Sequence, residues 1–187
     1  MKAICACMMV WALTWSSPAI ASTTYPFRSH QAPLTVINSE ALSDRSEREV
    51  LCLARNIYHE ARGQITANQL AVAWVTRNRA DISGRTICEV VFEHSRSNGR
   101  RSAQFSWTLY NHPRPMERHS WDLAQHLAYQ VYMSASDADL TRGATHFHER
   151  NARPDWSRRG VNRQQIGAHV FLRLPSYVQV VQVAQAN

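Results

Sequence analysis

Long apolar runs, lysine and nucleic-acid-binding motifs are largely missing from this sequence of 187 residues. Lys2 is the only lysine, so arginine supplies nearly all of the positive charge behind a formal net charge of +7. A basic chain is attracted to anionic envelope polymers, lipid head groups or nucleic acid, and charge alone does not choose among them. Because no nucleic-acid motif is present, we do not expect a nucleic-acid partner.

The longest apolar stretch lies close to the N-terminus and is too short for a membrane anchor. It runs from Ala3 to Trp15, follows Lys2 and precedes small residues that end at Ala21. A single-pass helix needs about 20 apolar residues. The pattern is typical of a secretory signal peptide over residues 1–21. We therefore expect a periplasmic or secreted protein that is not stably inserted in a membrane after cleavage.

The rest of the chain is predicted to form one domain, since an apolar fraction of 44% suits a single core. Residues 22–42 contain Pro26 and Pro33 without a helical period, which predicts a flexible lead-in. We place the folded domain at residues 43–175 and a tail at residues 176–187. Alternation from Val178 to Val183 indicates an additional edge strand in that tail.

Cysteine is scarce, and two of the four cysteines, Cys5 and Cys7, fall inside the predicted signal peptide. Cys52 and Cys88 remain, and in an oxidising compartment a disulfide between them is the favoured interpretation. Two buried thiols are the alternative. A metal site is disfavoured because neither cysteine has a close Cys or His neighbour at ligand spacing.

The apolar pattern predicts an α+β fold that is mainly helical with a small β element. A first helix over residues 44–62 carries an apolar stripe and ends at Gly63. Capping-box patterns at residues 66–69 and 86–89 predict two more helices, the first reaching about residue 79, and a fourth is expected at 117–135. Residues 94–104 are predicted to form a surface loop. Short extended segments are expected at 143–148 and 167–174, with a loop at 153–163 between them.

Glu60 has an unusual position for a carboxylate. Leu53, Ile57 and Glu60 are spaced i, i+4 and i+7, so Glu60 falls on or beside the stripe that faces the core. Burial and the negative end of the helix dipole both raise a carboxyl pKa, which suits a general acid. An ion pair with Arg62, Arg77 or Arg79 and no chemical role is the alternative.

Several blocks of the sequence together resemble the SleB-type cell wall hydrolases, a family that includes the spore cortex-lytic enzymes. The resemblance covers about residues 50–173, and Trp156 also fits the pattern. The blocks are CLARNIYHEARG at 52–63, QLAVAWVTRNR at 69–79, TICEVVF at 86–92, QFSW at 104–107, GATHFH at 143–148 and IGAHVF at 166–171.

The resemblance implies a lysozyme-like α+β domain that acts on the glycan strands of peptidoglycan, with Glu60 as the catalytic acid. We expect no cofactor and no metal ion. Candidate groove residues that contact the substrate are Tyr58, Gln104, Phe105, Ser106, His146, His148, Trp156 and His169. The chain departs from the family pattern at Gln64, Asn68, Phe147 and Leu172.

Three functions remain open. Glycoside hydrolysis uses two carboxylates, and no second acid is evidently paired with Glu60, which favours a lytic transglycosylase that needs only one. Alternatively, His146, His148 and His169 bind zinc in an amidase that cuts between muramic acid and the stem peptide. No H-E-x-x-H motif supports that alternative. The third hypothesis is a domain that binds peptidoglycan without cutting it.

Overall fold

The computed structural model describes residues 44–97, 99–110 and 115–177. The predicted signal peptide, the lead-in and residues 178–187, with the predicted edge strand, lie outside the described residues. Among the described residues, no helix is both long and apolar enough to cross a membrane.

The described residues form an α+β fold, as predicted. The helices are α1 Asp44–Ala61, α2 Thr66–Ser83, α3 Ile87–Val91 and α4 Arg118–Met133. The strands are β1 His94–Ser97, β2 Arg100–Ala103, β3 His146–Glu149, β4 Val161–Ile166 and β5 His169–Arg173. Both sheets are antiparallel: β1 pairs with β2, and the second has the order β3-β5-β4.

The first helix matches its prediction. Its buried face contains Val50, Leu53, Ile57 and Ala61, the spacing of an amphipathic stripe. Gly63 has φ +84°, a left-handed conformation that glycine adopts without a steric cost, and it turns the chain out of the helix.

Helix α2 lies at the centre of the domain, between the other helices and the three-stranded sheet. Ala73, Trp74 and Ala80 belong to a core shared with α1, α3 and α4. Val72 and Val75 belong to a second core with Phe171 of β5. The predicted fourth helix and the extended segments on either side of residues 153–163 are also present.

The predicted capping box of α2 is wrong, and this helix extends to Ser83 rather than to about residue 79. Ile65 is the N-cap residue and makes no side-chain cap. Its carbonyl already accepts bonds from the N–H groups of Asn68 and Gln69, so Thr66 lies inside the helix. The second capping box is confirmed, because Thr86 and Glu89 bond reciprocally at the start of α3.

Two predicted loops contain regular structure. Residues 94–104 include a hairpin of β1 and β2, with Gly99 at φ +75° in its turn. Residues 153–163 include a 3-10 turn, Asp155–Arg159, and the start of β4. Neither segment shows clear hydrophobic alternation, because most of its residues are exposed and polar. These strands are formed by backbone hydrogen bonds, which the pattern of side chains in such a sequence does not predict.

The predicted disulfide is confirmed. Cys52 in α1 and Cys88 in the first turn of α3 are bonded, with Cα atoms 5.2 Å apart. The bridge closes a loop with a sequence separation of 36 and fixes α3 to the helix that carries Glu60.

Removing this disulfide is expected to destabilise the domain. In the chain-entropy model, a loop of this length contributes about 4 kcal/mol. We predict that C52A/C88A lowers the free energy of unfolding by about that amount in urea titrations. Reduced wild-type protein is the matched control and should unfold at the same urea concentration as the variant. A change below about 1 kcal/mol contradicts the expected contribution of the bridge.

Candidate active site

Glu60 is the penultimate residue of α1 and is partly buried. Its helix neighbours Ile57 and Ala61 are almost completely buried, so the helix holds the carboxyl group close to the core. Desolvation by this burial raises the pKa of Glu60 from 4.5 to about 7. The carboxyl group therefore retains its proton up to about neutral pH.

The alternative of an ion pair at Glu60 is not found in the described part of the chain. Arg62 forms its ion pair with Glu117, at 3.4 Å, and Arg77 forms one with Asp81, at 3.6 Å. Arg79 donates from Nε to the carbonyl of Thr145. Among the described residues, none donates a hydrogen bond to the Glu60 carboxyl group or pairs with it.

Two cavities meet at Glu60. One has a volume of about 360 Å³, and we call it the aromatic cavity. Besides Glu60, it is lined by Arg79, Ala103, Gln104, Phe105, Ser106, His146, Phe147 and Trp156. The other, of about 400 Å³, we call the polar cavity. Besides Glu60, it is lined by Gln64, Glu149, Arg150, Asn151, Gly167, Ala168 and His169.

Most of the predicted groove residues reach these cavities. Gln104, Phe105, Ser106, His146 and Trp156 line the aromatic cavity, and His169 lines the polar cavity. Tyr58 and His148 line neither of them.

Tyr58 is buried, and its hydroxyl accepts hydrogen bonds from the backbone N–H groups of Met116 and Glu117, both at 3.2 Å. The guanidinium of Arg62 lies 5.0 Å from its ring centroid. These contacts hold the segment that leads into α4, which gives Tyr58 a structural role.

Trp156 packs against both histidines of β3. Its ring centroid lies 5.4 Å from that of His146 and 5.7 Å from that of His148. Burial, with a smaller contribution from the positive charge of Arg79, lowers the pKa of His146 to about 3. The aromatic cavity therefore has a neutral imidazole beside its indole ring at physiological pH.

His169 belongs to the opposite face of the sheet. Its ring lies 5.2 Å from Phe147, and its Nδ1 is 3.0 Å from Oδ1 of Asn68. The amide nitrogen of Asn68 donates to the carbonyl of Ile166, which leaves the amide oxygen as an acceptor. The hydrogen-bond network thus assigns the proton of a neutral imidazole to Nδ1. Burial lowers the pKa of His169.

The zinc hypothesis based on three histidines is wrong for this fold. His146 and His148 share the face of β3 that contacts Trp156, as alternation in a strand predicts. His169 pairs with Glu149 in the sheet register and contacts Phe147 on the other face. The described residues contain no group of three His, Cys, Asp or Glu side chains arranged to hold a metal ion.

Glu149 is the main site residue that sequence reasoning did not identify. The sequence showed no pairing between Glu60 and another acid, but Glu149 lines the same polar cavity. Alternation along residues 146–149 places Glu149 on the side of Phe147, yet only the pairing of β3 with β5 brings that side to the polar cavity. Because this pairing is long-range, no local signal in the sequence predicts it.

Comparison with known proteins gives the class of this molecule. The model of the family described as Cell Wall Hydrolase matches residues 63–172, which is more than half of the chain. No curated protein and no solved structure matches significantly.

The chain therefore belongs to the SleB-type cell wall hydrolase family. The matched residues include nearly all of the cavity lining and begin three positions after Glu60. Glu60 itself lies outside the matched residues, so the family match does not bear on its role.

The raised pKa of Glu60 predicts how the free energy of unfolding depends on pH. Between pH 4.5 and about 7 the folded state retains a proton on Glu60 that the unfolded state has lost, so stability falls as the pH rises through this window. The expected loss is up to about 3 kcal/mol. The nearby groups that also titrate or carry charge are Glu149, Arg150 and His169 in the polar cavity, and Arg79 and His146 in the aromatic cavity.

Comparison with E60Q isolates the contribution of Glu60, because the other groups are common to both proteins. Urea unfolding at pH 5 and pH 8 should show E60Q gaining stability relative to wild type as the pH rises. An equal pH dependence in the two proteins contradicts a carboxyl group with a raised pKa.

Proposed function

We propose that this cell wall hydrolase cleaves the glycan strand of peptidoglycan between N-acetylmuramic acid and N-acetylglucosamine, as a lytic transglycosylase with Glu60 as general acid and base. Membership of the family supports peptidoglycan as the substrate. The observation that carries the specific proposal is the protonated, unpaired carboxyl group of Glu60 where two cavities meet.

The glycan strand would cross Glu60, with one sugar in each cavity. Glu60 donates its proton to the glycosidic oxygen as the bond to the anomeric carbon breaks. The resulting carboxylate then accepts the proton of the 6-hydroxyl of the muramic acid residue, which attacks the same anomeric carbon. The product ends in a 1,6-anhydro ring, and Glu60 recovers its proton within the cycle.

The side chains of the aromatic cavity support sugar binding there. Trp156 offers an apolar ring for stacking, while Gln104 and Ser106 offer hydrogen-bonding groups to the hydroxyl and acetamido groups of the sugar. Location in the cell envelope would bring the enzyme to its substrate, and the signal-like segment at residues 1–21 supports that location.

Replacing Glu60 should abolish activity without unfolding the domain. Gln has the shape of Glu but cannot donate the proton, so we expect E60Q to release soluble muropeptides from purified sacculi at least about 100-fold more slowly. Mass spectrometry of the released fragments measures this rate. E47Q is the matched control, because Glu47 lies in the first turn of the same helix, about 20 Å along its axis from Glu60.

The products also separate this proposal from its rivals. Fragments with 1,6-anhydro ends support it, free stem peptides indicate an amidase, and no release from wild-type protein indicates a binding domain. Wild-type turnover by E60Q would remove Glu60 from the mechanism.

The pH profile should follow the protonation of Glu60. Because the acid form is required, the rate should fall about tenfold per pH unit above pH 7. Initial rates of muropeptide release between pH 5 and pH 9 measure this decrease. A rate that keeps rising to pH 9 contradicts the role of Glu60 as a proton donor.

A further inference from the structure

The polar cavity brings a second carboxylate to the candidate active site. Glu149 is the last residue of β3 and pairs with His169 of β5 in the sheet register. Side chains two positions apart on a strand share a face, so Glu149 lies on the side of Phe147, whose ring contacts His169. Glu60 and Glu149 thus face the same cavity from α1 and β3.

The backbone around Glu149 is held on both sides. The N–H of Arg150 donates to the carbonyl of Ala168 at 2.8 Å, and the N–H of Ala152 donates to the carbonyl of Glu149 at 2.9 Å. On the facing strand, His169 is fixed through Asn68. A rigid backbone places a side chain reproducibly, which is a requirement for a catalytic group.

The two carboxyl groups lie in different environments. Glu60 is partly buried, whereas Glu149 is exposed. Within the described residues, neither carboxyl group accepts a hydrogen bond or forms an ion pair. A pair of carboxyl groups with unequal burial is the arrangement that divides the roles of acid and base in glycoside hydrolysis.

The cavity between them has room for the attacking molecule. Its volume of about 400 Å³ far exceeds the roughly 30 Å³ that one water molecule occupies in the liquid. Water therefore has access to Glu149, whose side chain is also exposed to solvent. This space distinguishes Glu149 from Glu117, which pairs with Arg62 and lines neither cavity.

We propose that Glu149 is a further catalytic residue, a general base that activates water and gives this enzyme a hydrolytic outcome beside transglycosylation. The inference rests on the proposed function, since Glu60 remains the acid for both outcomes. Glu60 protonates the glycosidic oxygen and the bond to the anomeric carbon breaks. Water adds its oxygen to that carbon, and Glu149 accepts the water proton. The product has a reducing muramic acid end, and the proton returns to Glu60 through solvent.

Product analysis tests this role without relying on total activity. Sacculi are digested in water enriched in ¹⁸O, and mass spectrometry counts reducing ends that carry ¹⁸O against 1,6-anhydro ends. Wild-type enzyme should yield both. In E149Q the ratio of reducing ends to anhydro ends should fall at least about tenfold.

E47Q is the matched control and should keep the wild-type ratio, because Glu47 is remote from both cavities. Thermal unfolding of E149Q checks that the fold is intact, which is expected for an exposed residue at a strand end. E149A serves as a second variant with the same expected shift in ratio.

Three results would overturn the role of Glu149: an unchanged ratio in E149Q and E149A, wild-type products with anhydro ends only, or equal loss of both products. None of them affects the assignment of Glu60. Failure of the proposed function is distinguishable, since it appears as retained activity in E60Q.

Discussion

Desolvation of one carboxyl group is the constraint on which the candidate site depends. Glu60 lies in the last turn of α1, where Ile57 and Ala61 pack into the two cores on either side of α2. The same packing that stabilises the domain therefore withholds water from Glu60 and raises its pKa to about 7. No charged side chain in the described structure offsets this cost. Such uncompensated burial of an acid is characteristic of functional sites.

The remaining helices and strands place polar and aromatic side chains around the carboxyl group of Glu60. The disulfide fixes α3 to α1. Phe105 and the residues that follow the β1–β2 hairpin form one wall of the aromatic cavity. The edge strand β3 supplies His146 to the aromatic cavity and Glu149 to the polar cavity. A short strand between two cavities is thus placed to contact sugars on both sides of the glycosidic bond in the proposed reaction.

Local patterns in the sequence predicted the features that depend on neighbouring residues. The apolar stripe of α1, the capping box at Thr86 and the stop at Gly63 are set within one or two helical turns, and all three are confirmed. The position of Glu60 beside the buried stripe follows from the same periodicity. The family match agrees with the resemblance carried by the later blocks.

Features that depend on long-range pairing were not predictable. The register of β3 with β5 separates His169 from His146 and His148, and it brings Glu149 to the polar cavity. The start of α2 was also misplaced. The N-cap is Ile65, whose carbonyl accepts the first helical hydrogen bonds, and not Thr66 as the capping-box pattern predicted. Charged and polar strands such as β1 and β2 show no alternation, so composition alone indicated a loop.

Carbon-13 NMR of the glutamate side-chain carboxyl groups measures whether Glu60 retains its proton up to about neutral pH. The resonance that disappears in E60Q belongs to Glu60, and its chemical shift can be followed from pH 3 to pH 9. We predict a midpoint at about pH 7. A midpoint near 4.5, the ordinary value for a glutamate, would contradict it.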